Sequence, residues 1–432
     1  MLASVTVAYA FFYTARTALD IVKKPLLDAG IFDANELGTI GTCLLLAYAF
    51  GKLISGFLAD RVHVARLLAL GLGGSAILNI LMGFNRLYVV ACLLWAANGL
   101  FQGTGGAASV RSLTYWFSRR EHGRAYGAWS TAHSLGEGAM QLWAPVIVTN
   151  FGWRAGFISP GLACVVIAVL VLRVLPAHPR AYGLPEANSW NGDRTPDEMI
   201  STGQAQRTII YNPTVWVCVL SSALMYATRY GLKSWGILYL QEVRGYTLSE
   251  ASALFSISSF AGLFGSFAYG FISDVYFGAR RPPVSLIFGV IEIGALGALF
   301  HGPRNPWSVG AALFLYGFSL SGILAVLGGL QSVDASSKKA VGMAMGFTGF
   351  ISYLGAAAQE KISGAILKSH TIVLPDGSKH IADWSTPIAI WIGSSVASLL
   401  VASILWWWSP KKPSSSVETT LGGAENPPPW LG

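Results

Sequence analysis

The sequence predicts an all-α membrane protein with twelve transmembrane helices in two pseudo-symmetric six-helix halves. Three observations carry this expectation. The 432 residues are 53% hydrophobic and only 12% charged, with mean hydropathy +0.52; soluble domains carry about twice that charge fraction. Apolar runs of about 20 residues, long enough to cross a bilayer, recur from end to end. The chain also repeats itself: 56-GFLADRVHVAR-66 is echoed by 270-GFISDVYFGAR-280, with Gly56/Gly270, Phe57/Phe271, Asp60/Asp274 and Arg66/Arg280 all 214 residues apart.

The apolar pattern places spans at 1–23, 36–60, 64–84, 87–117, 123–150, 153–175, 212–240, 247–277, 283–302, 306–333, 340–368 and 386–409. Loop charge orients them. Arg61/Arg66, Arg119/Arg120, Arg280/Arg281 and Lys338/Lys339 follow spans 2, 4, 8 and 10, and Lys411/Lys412 open the tail. All fall on one side, so both termini are expected in the cytoplasm. Lys23 and Lys24 are an exception on the outer side, surrounded by Asp20, Asp28, Asp33 and Glu36. The polar stretch 176–211 reads as a cytoplasmic linker between bundles 1–175 and 212–409, and 410–432 reads as a disordered tail. No cleavable signal peptide is expected, because a basic leader and an Ala-x-Ala site are missing. The chain opens almost inside a helix, so a short cytoplasmic leader is expected to precede it. The net charge of +8 fits positive loops on anionic lipid, and no nucleic-acid partner is expected. Cys43, Cys92, Cys164 and Cys218 lie in apolar segments and read as small buried hydrophobes, not metal ligands or disulfides.

Arg16 interrupts the first span in 7-VAYAFFYTARTALD-20, and a charge near mid-bilayer costs at least a few kcal/mol. An offset of 213 pairs it with Arg229 in 222-SALMYATRYGLKSW-235. Each lies about 15 residues into its span, roughly 22–24 Å deep at 1.5 Å per residue. Two arginines at matching depth in the first helix of each half would face each other across the pseudo-twofold axis.

The other ionisable groups within spans are Lys52, Arg111, His133, Lys233 and Lys361, with Glu137, Glu292 and Glu360 on the acidic side. The excess of cations points to an anionic substrate. Phosphate suits it best, because the planar guanidinium matches its oxygens and lysine adds a point charge. Arg111 and Lys233 are the weaker candidates, lying near helix ends, and Glu292 reads as a structural hydrogen-bonding group. Glu360 and Lys361 point about 100° apart on a helix and need not form one ion pair. Aromatic residues accompany the cations: Tyr9 and Tyr13 before Arg16, Tyr48 before Lys52, Trp129 before His133 and Tyr226 before Arg229. On a helix these spacings share a face.

Several stretches resemble the organophosphate:phosphate antiporters of the major facilitator superfamily, which include glycerol-3-phosphate and hexose-phosphate transporters and a related hexose-phosphate sensor. They are YAFFYTAR around Arg16, AYAFGKLISGFLADR around Lys52, FQGTGGAASVRSLTYWFSRREHG in span 4, WSTAHSLG around His133, RYGLKSWGILYLQEV after Arg229, and KKAVGMAMGFTGFISYLG leading into span 11. The resemblance implies that Arg16 and Arg229 hold a phosphoryl group and that Lys52 and His133 assist. It further implies that Tyr9, Tyr13, Tyr48, Trp129, Tyr226 and Tyr353 line the cavity, and that Lys361 matches a span-11 lysine of hexose-phosphate transporters. Asp60, Arg66, Asp274 and Arg280 match the superfamily's loop motif and are expected to latch one conformation. Three positions depart from the pattern. Gly106-Ala107-Ala108-Ser109 stands where Trp-Pro-Pro-Cys is usual, Thr17 replaces a lysine after the first arginine, and the acid three residues before Lys361 is missing, with Ala358 there.

The expected protein is therefore a monomeric transporter of the inner membrane that exchanges a sugar phosphate, hexose-6-phosphate before glycerol-3-phosphate, for inorganic phosphate. It is not expected to be an enzyme or to use a metal or cofactor. Two alternatives stay open: a membrane sensor for external hexose phosphate, and a proton-coupled sugar transporter.

Overall fold

A computed structural model describes residues 1–59, 61–117, 119–175, 179, 207, 209–278, 280–330, 341–375 and 379–408. The linker 176–211, apart from a few residues, and the tail from 409 lie outside the described residues. The first half contains α1 (Leu2–Asp28), α2 (Ala34–Ala59), α3 (Val64–Phe84), α4 (Tyr88–Trp116), α5 (Arg119–Ser130), α6 (Ala132–Phe151) and α7 (Trp153–Val174). The second contains α8 (Pro213–Arg244), α9 (Leu248–Tyr276), α10 (Arg281–His301), α11 (Pro306–Ala325), α12 (Val341–Ser369) and α13 (Ser385–Trp408). A short hairpin, β1 (Thr371–Val373) with β2 (Lys379–Ile381), joins the last two helices. These are the twelve expected spans, the fifth being split into α5 and α6.

The two halves pack in the same way. Pairings α2–α4, α1–α6, α1–α7 and α3–α7 in the first half are repeated as α9–α11, α8–α12, α8–α13 and α10–α13 in the second. The halves meet along α1–α8 and along two equivalent seams, α2–α12 and α6–α9. Among the described residues, seven helices are long and apolar enough to cross a membrane: α2, α3, α7, α9, α10, α11 and α13. The remaining spans belong to α1, α4, α6, α8 and α12. Four of them carry Arg16, Glu137, Arg229 and Glu360, and α4 carries the buried amides Asn98 and Gln102. Polar groups are costly against lipid, so they lie on the helices that enclose the centre.

Three boundaries depart from the expected spans. Helix α1 continues to Asp28, not to 23, because Lys23 does not mark the membrane edge. It is fully buried, 2.8 Å from Glu360 of α12, hydrogen-bonded to Ser234 and 3.6 Å from the Trp235 ring centroid. The fifth span breaks at Thr131. There the Ser130 and Thr131 hydroxyls donate to the carbonyls of Gly127 and Ala128, competing with the helix's own ladder. Helix α11 ends in a π-helical turn, Val326–Leu330.

One end of the bundle is closed by charge. Lys24 of α1 pairs with Glu242 of α8, which also takes His380 of the hairpin at 2.6 Å. Lys368 of α12 lies 2.8 Å from Asp33. Asp33 and Glu36 start α2 with reciprocal side-chain-to-backbone bonds of 2.9 Å, a capping box. At this end α2 and α12 touch backbone to backbone, since a Cβ on Gly38 would stand 2.9 Å from the Gly364 Cα. At the other end stand the residues of the expected latch. Asp60 lies outside the described residues, Arg66 is exposed, and Asp274 and Arg280 are both exposed with no ion pair between them.

Removing one partner of a buried ion pair strands the other charge. Glu360→Gln is therefore expected to lower stability by about 3–5 kcal/mol, read as a lower Tm of the detergent-purified protein. The double change Lys23→Met with Glu360→Leu should recover most of it. A single variant as stable as the parent would show that the pair carries no such strain.

Candidate functional site

The central helices bring most of the expected site residues together. Arg16 on α1 is 4% exposed. Its guanidinium carbon lies 4.0 Å from the ring centroid of Tyr48 and 4.7 Å from that of Tyr13. Its Nη2 donates to Gln102 Oε1 of α4 at 3.3 Å, and Gln102 is itself held by Ser75 at 3.2 Å. Its Nε and Nη1 are buried with no hydrogen-bond partner among the described residues. A buried donor left unpaired costs about 1–3 kcal/mol, more when charged. Asp20, one turn further along α1, does not relieve it and instead accepts from Ser234 at 3.1 Å.

Arg229, the twin on α8, is 8% exposed and differently placed. Its Nη2 is 3.9 Å from Glu137 Oε1 of α6, and the same carboxylate pairs with Lys233, one turn beyond Arg229. Arg16 thus has no acid partner among the described residues, whereas Arg229 shares one with Lys233. Its guanidinium stands 5.8 Å and 5.7 Å from the rings of Tyr226 and Tyr230.

One aromatic wall links the two arginines. Tyr48 beside Arg16 packs against Tyr353 of α12 at 4.6 Å between centroids, and Tyr353 packs against Tyr226 at 5.3 Å and Tyr230 at 5.8 Å beside Arg229. Lys52 is exposed but its Nζ lies 5.3 Å from the Tyr353 centroid and 5.7 Å from that of Tyr48. Tyr9 packs against Trp129 at 4.6 Å with the rings tilted and meets Tyr13 edge-on at 5.4 Å. His133 lies 5.8 Å from Tyr13. Its Nδ1 contacts the Ser130 carbonyl at the break between α5 and α6. A cavity of about 60 Å³ is lined by His133, Glu137, Arg229 and Lys233, and a second of about 30 Å³ by Arg16, Asp20, Tyr230 and Lys233.

Lys361 is not brought to this place. Its ammonium donates to Asn35 Oδ1 at 2.9 Å and Thr39 Oγ1 at 2.6 Å at the start of α2. Glu360 takes the inward direction and, one residue on, Lys361 is turned away by about 100°. Arg111 is likewise elsewhere, donating to Tyr115 at 2.8 Å. Glu137 as a counter-ion, Lys233, Tyr230 and Gln102 enter the site with roles the spacing argument missed. A signal for two of them was present: Glu137 follows His133, and Lys233 follows Arg229, by one helical turn.

Two repeated bundles of helices meeting around small cavities lined by Arg16, Arg229, Lys233 and Tyr230 define a polytopic membrane protein. The chain belongs to the Major Facilitator Superfamily, whose model matches residues 5–359, and within it to the organophosphate:phosphate antiporter family. It is 31% identical to the membrane sensor protein UhpC of Salmonella typhimurium over 83% of this chain and 82% of that protein. It is 30% identical to a probable hexose phosphate transport protein of Chlamydia trachomatis over 82% and 81%. Among solved structures, a bacterial homolog of the human lysosomal transporter Spinster, inward-facing and unoccupied, superposes with a TM-score of 0.72 at 17% identity, covering 93% of this chain and 94% of that one.

The unpaired donors of Arg16 imply a residue kept at the expense of stability. Arg16→Met is expected to leave Tm unchanged or raise it, in contrast to Glu360→Gln. A clear fall in Tm would mean that Arg16 is already satisfied by the protein.

Proposed function

We propose that the protein exchanges a sugar phosphate for inorganic phosphate by alternating access, with hexose-6-phosphate favoured and glycerol-3-phosphate next. The observation that carries this reading is the guanidinium of Arg16, which is buried with two donor atoms unpartnered and shares an aromatic wall with Arg229. Phosphoryl oxygens supply the missing acceptors, and charge-assisted bonds to a guanidinium are about twice as strong as neutral ones. A relative named as a probable hexose phosphate transport protein supports the substrate class. Lys361 lends no support to hexose, since it faces α2.

In this reading the basic loops and both termini are cytoplasmic in the inner membrane, the two bundles rock as units joined by the 176–211 linker, and the charge-sealed end faces outward. Substrate enters from the cytoplasmic side, and Arg16 and Arg229 draw on its phosphoryl group from both halves. With the cavity empty, Arg16 would have to cross between states unneutralised. That penalty couples reorientation to a bound anion and makes the process an exchange.

Liposomes loaded with phosphate should take up labelled glucose-6-phosphate, and phosphate-free liposomes should not. Arg16→Lys or Arg229→Lys should reduce exchange by at least about a hundredfold with insertion unchanged, because lysine cannot form the bidentate contact. Wild-type rates in either variant would exclude the clamp. The second reading, favoured by similarity to a sensor, predicts ligand binding with no exchange. Uptake driven by a pH gradient and indifferent to internal phosphate would point instead to a proton-coupled sugar transporter.

A further inference from the structure

We propose that Glu137 is a specificity-determining residue of this site. It admits phosphomonoesters of neutral polyols and rejects phosphorylated carboxylic acids. The inference rests on the phosphate-binding reading above and names the class of organic group that goes with the phosphate.

Glu137 is an acid inside a site built from cations. His133, Glu137 and Gln141 follow one another by one turn on α6 and face one cavity of about 60 Å³. Arg229 and Lys233 form the opposite wall. The Oε1 atom of Glu137 takes Lys233 and lies 3.9 Å from Arg229 Nη2. Among the described residues its Oε2 accepts no hydrogen bond. A phosphate held by Arg229 therefore places its ester substituent within reach of a carboxylate with acceptor capacity to spare.

The rest of the wall sets neutral polar groups among the apolar side chains of Phe255, Leu320 and Leu324. Ser258, Ser259, Gln141 and Tyr316 line it. Tyr316 is 4% exposed, and its hydroxyl has no hydrogen-bond partner among the described residues. An unsatisfied buried hydroxyl and an open carboxylate oxygen match the hydroxyls of a polyol, each of which can donate to one and accept from the other.

A second anionic group on the substrate meets a different situation. Lys233 is already engaged by Glu137, so it is not free to receive a carboxylate. That carboxylate would have to lie beside Glu137 or displace it from Lys233. Repulsion between like charges at this range in a partly screened interior corresponds to a discrimination on the order of tenfold to a hundredfold. Neutralising Glu137 has a double effect, because it removes the repulsion and frees the Lys233 ammonium.

The test is competition for bound radiolabelled phosphate on the purified full-length protein by glucose-6-phosphate and by 3-phosphoglycerate. The readout is the ratio of the two apparent affinities within each protein. The wild type is expected to favour glucose-6-phosphate by at least about tenfold. Glu137→Gln should shift the ratio toward 3-phosphoglycerate by tenfold or more. Adding Lys233→Gln should reverse most of that shift, as expected of two coupled groups. Glu137→Asp should keep the wild-type preference. Lys233→Gln alone, which retains the acid without its partner, should strengthen the rejection and so tests the idea even where Glu137→Gln fails to fold. Phosphate binding with a ratio unaltered by Glu137→Gln, or relaxed by Lys233→Gln alone, overturns this assignment and leaves the phosphate reading intact. A wild type that binds no phosphate overturns both.

Discussion

A guanidinium in the middle of a membrane helix has two destinations, lipid or protein, and only the second is affordable. The position of Arg16 therefore constrains most of what surrounds it. Helix α1 must turn the face bearing Tyr9, Tyr13 and Arg16 inward. Helix α4 must offer Gln102, and α3 must hold Gln102 through Ser75. Tyr48 of α2 lies over the charge. Arg16, Glu137, Arg229 and Glu360 lie on α1, α6, α8 and α12, which are not among the strongly apolar helices. The arrangement of the bundle is in this sense a solution to the burial of a few polar side chains.

The buried cations fall into two kinds. Lys23 and Lys233 are paired with acids from the opposite half, Glu360 and Glu137. A buried pair adds little net stability over a well-packed apolar pair, yet breaking it is costly. Such pairs are suited to fixing how the halves meet, and Lys23, Lys24 and Lys368 do so together at the closed end. Arg16 has no such partner. Separating the halves at the closed end exposes Lys23 and Glu360 to water as they part, which lowers the cost of losing each other. The Nε and Nη1 of Arg16 have no hydrogen-bond partner among the described residues.

Much of this was legible in the sequence, for identifiable reasons. The fold followed from apolar runs and from the 214-residue repeat, both local or translational signals. The arginine pair followed because the repeat converts one anomalous residue into two at matching depth. The closeness of Tyr13 to Arg16 and of Tyr226 to Arg229 followed because i−3 spacing keeps two residues on one helix face. The Lys23–Glu360 pair was hidden because its partners are 337 residues apart and lie in no repeat-related positions. Lys361 was misplaced because adjacent residues on a helix differ by about 100°, and which of Glu360 and Lys361 turns inward depends on Lys23 and Ser234 across the interface. The break at Thr131 escaped notice because apolar periodicity does not register hydroxyls bonding back to carbonyls.

The repeat also conceals a difference that matters. Arg16 and Arg229 are equivalent by sequence offset, but their surroundings are not: the first has aromatic faces and one amide, the second an acid bridged to a lysine. An anion entering between them meets one guanidinium with open donors and another already partly neutralised. On the second half the ligand must compete with, or hydrogen-bond to, a carboxylate that belongs to the protein. The open donors therefore lie in the first half and the acid–cation cluster in the second. A few side chains, Gln102 on one side and Glu137 with Lys233 on the other, break the symmetry that the repeated helix packing keeps.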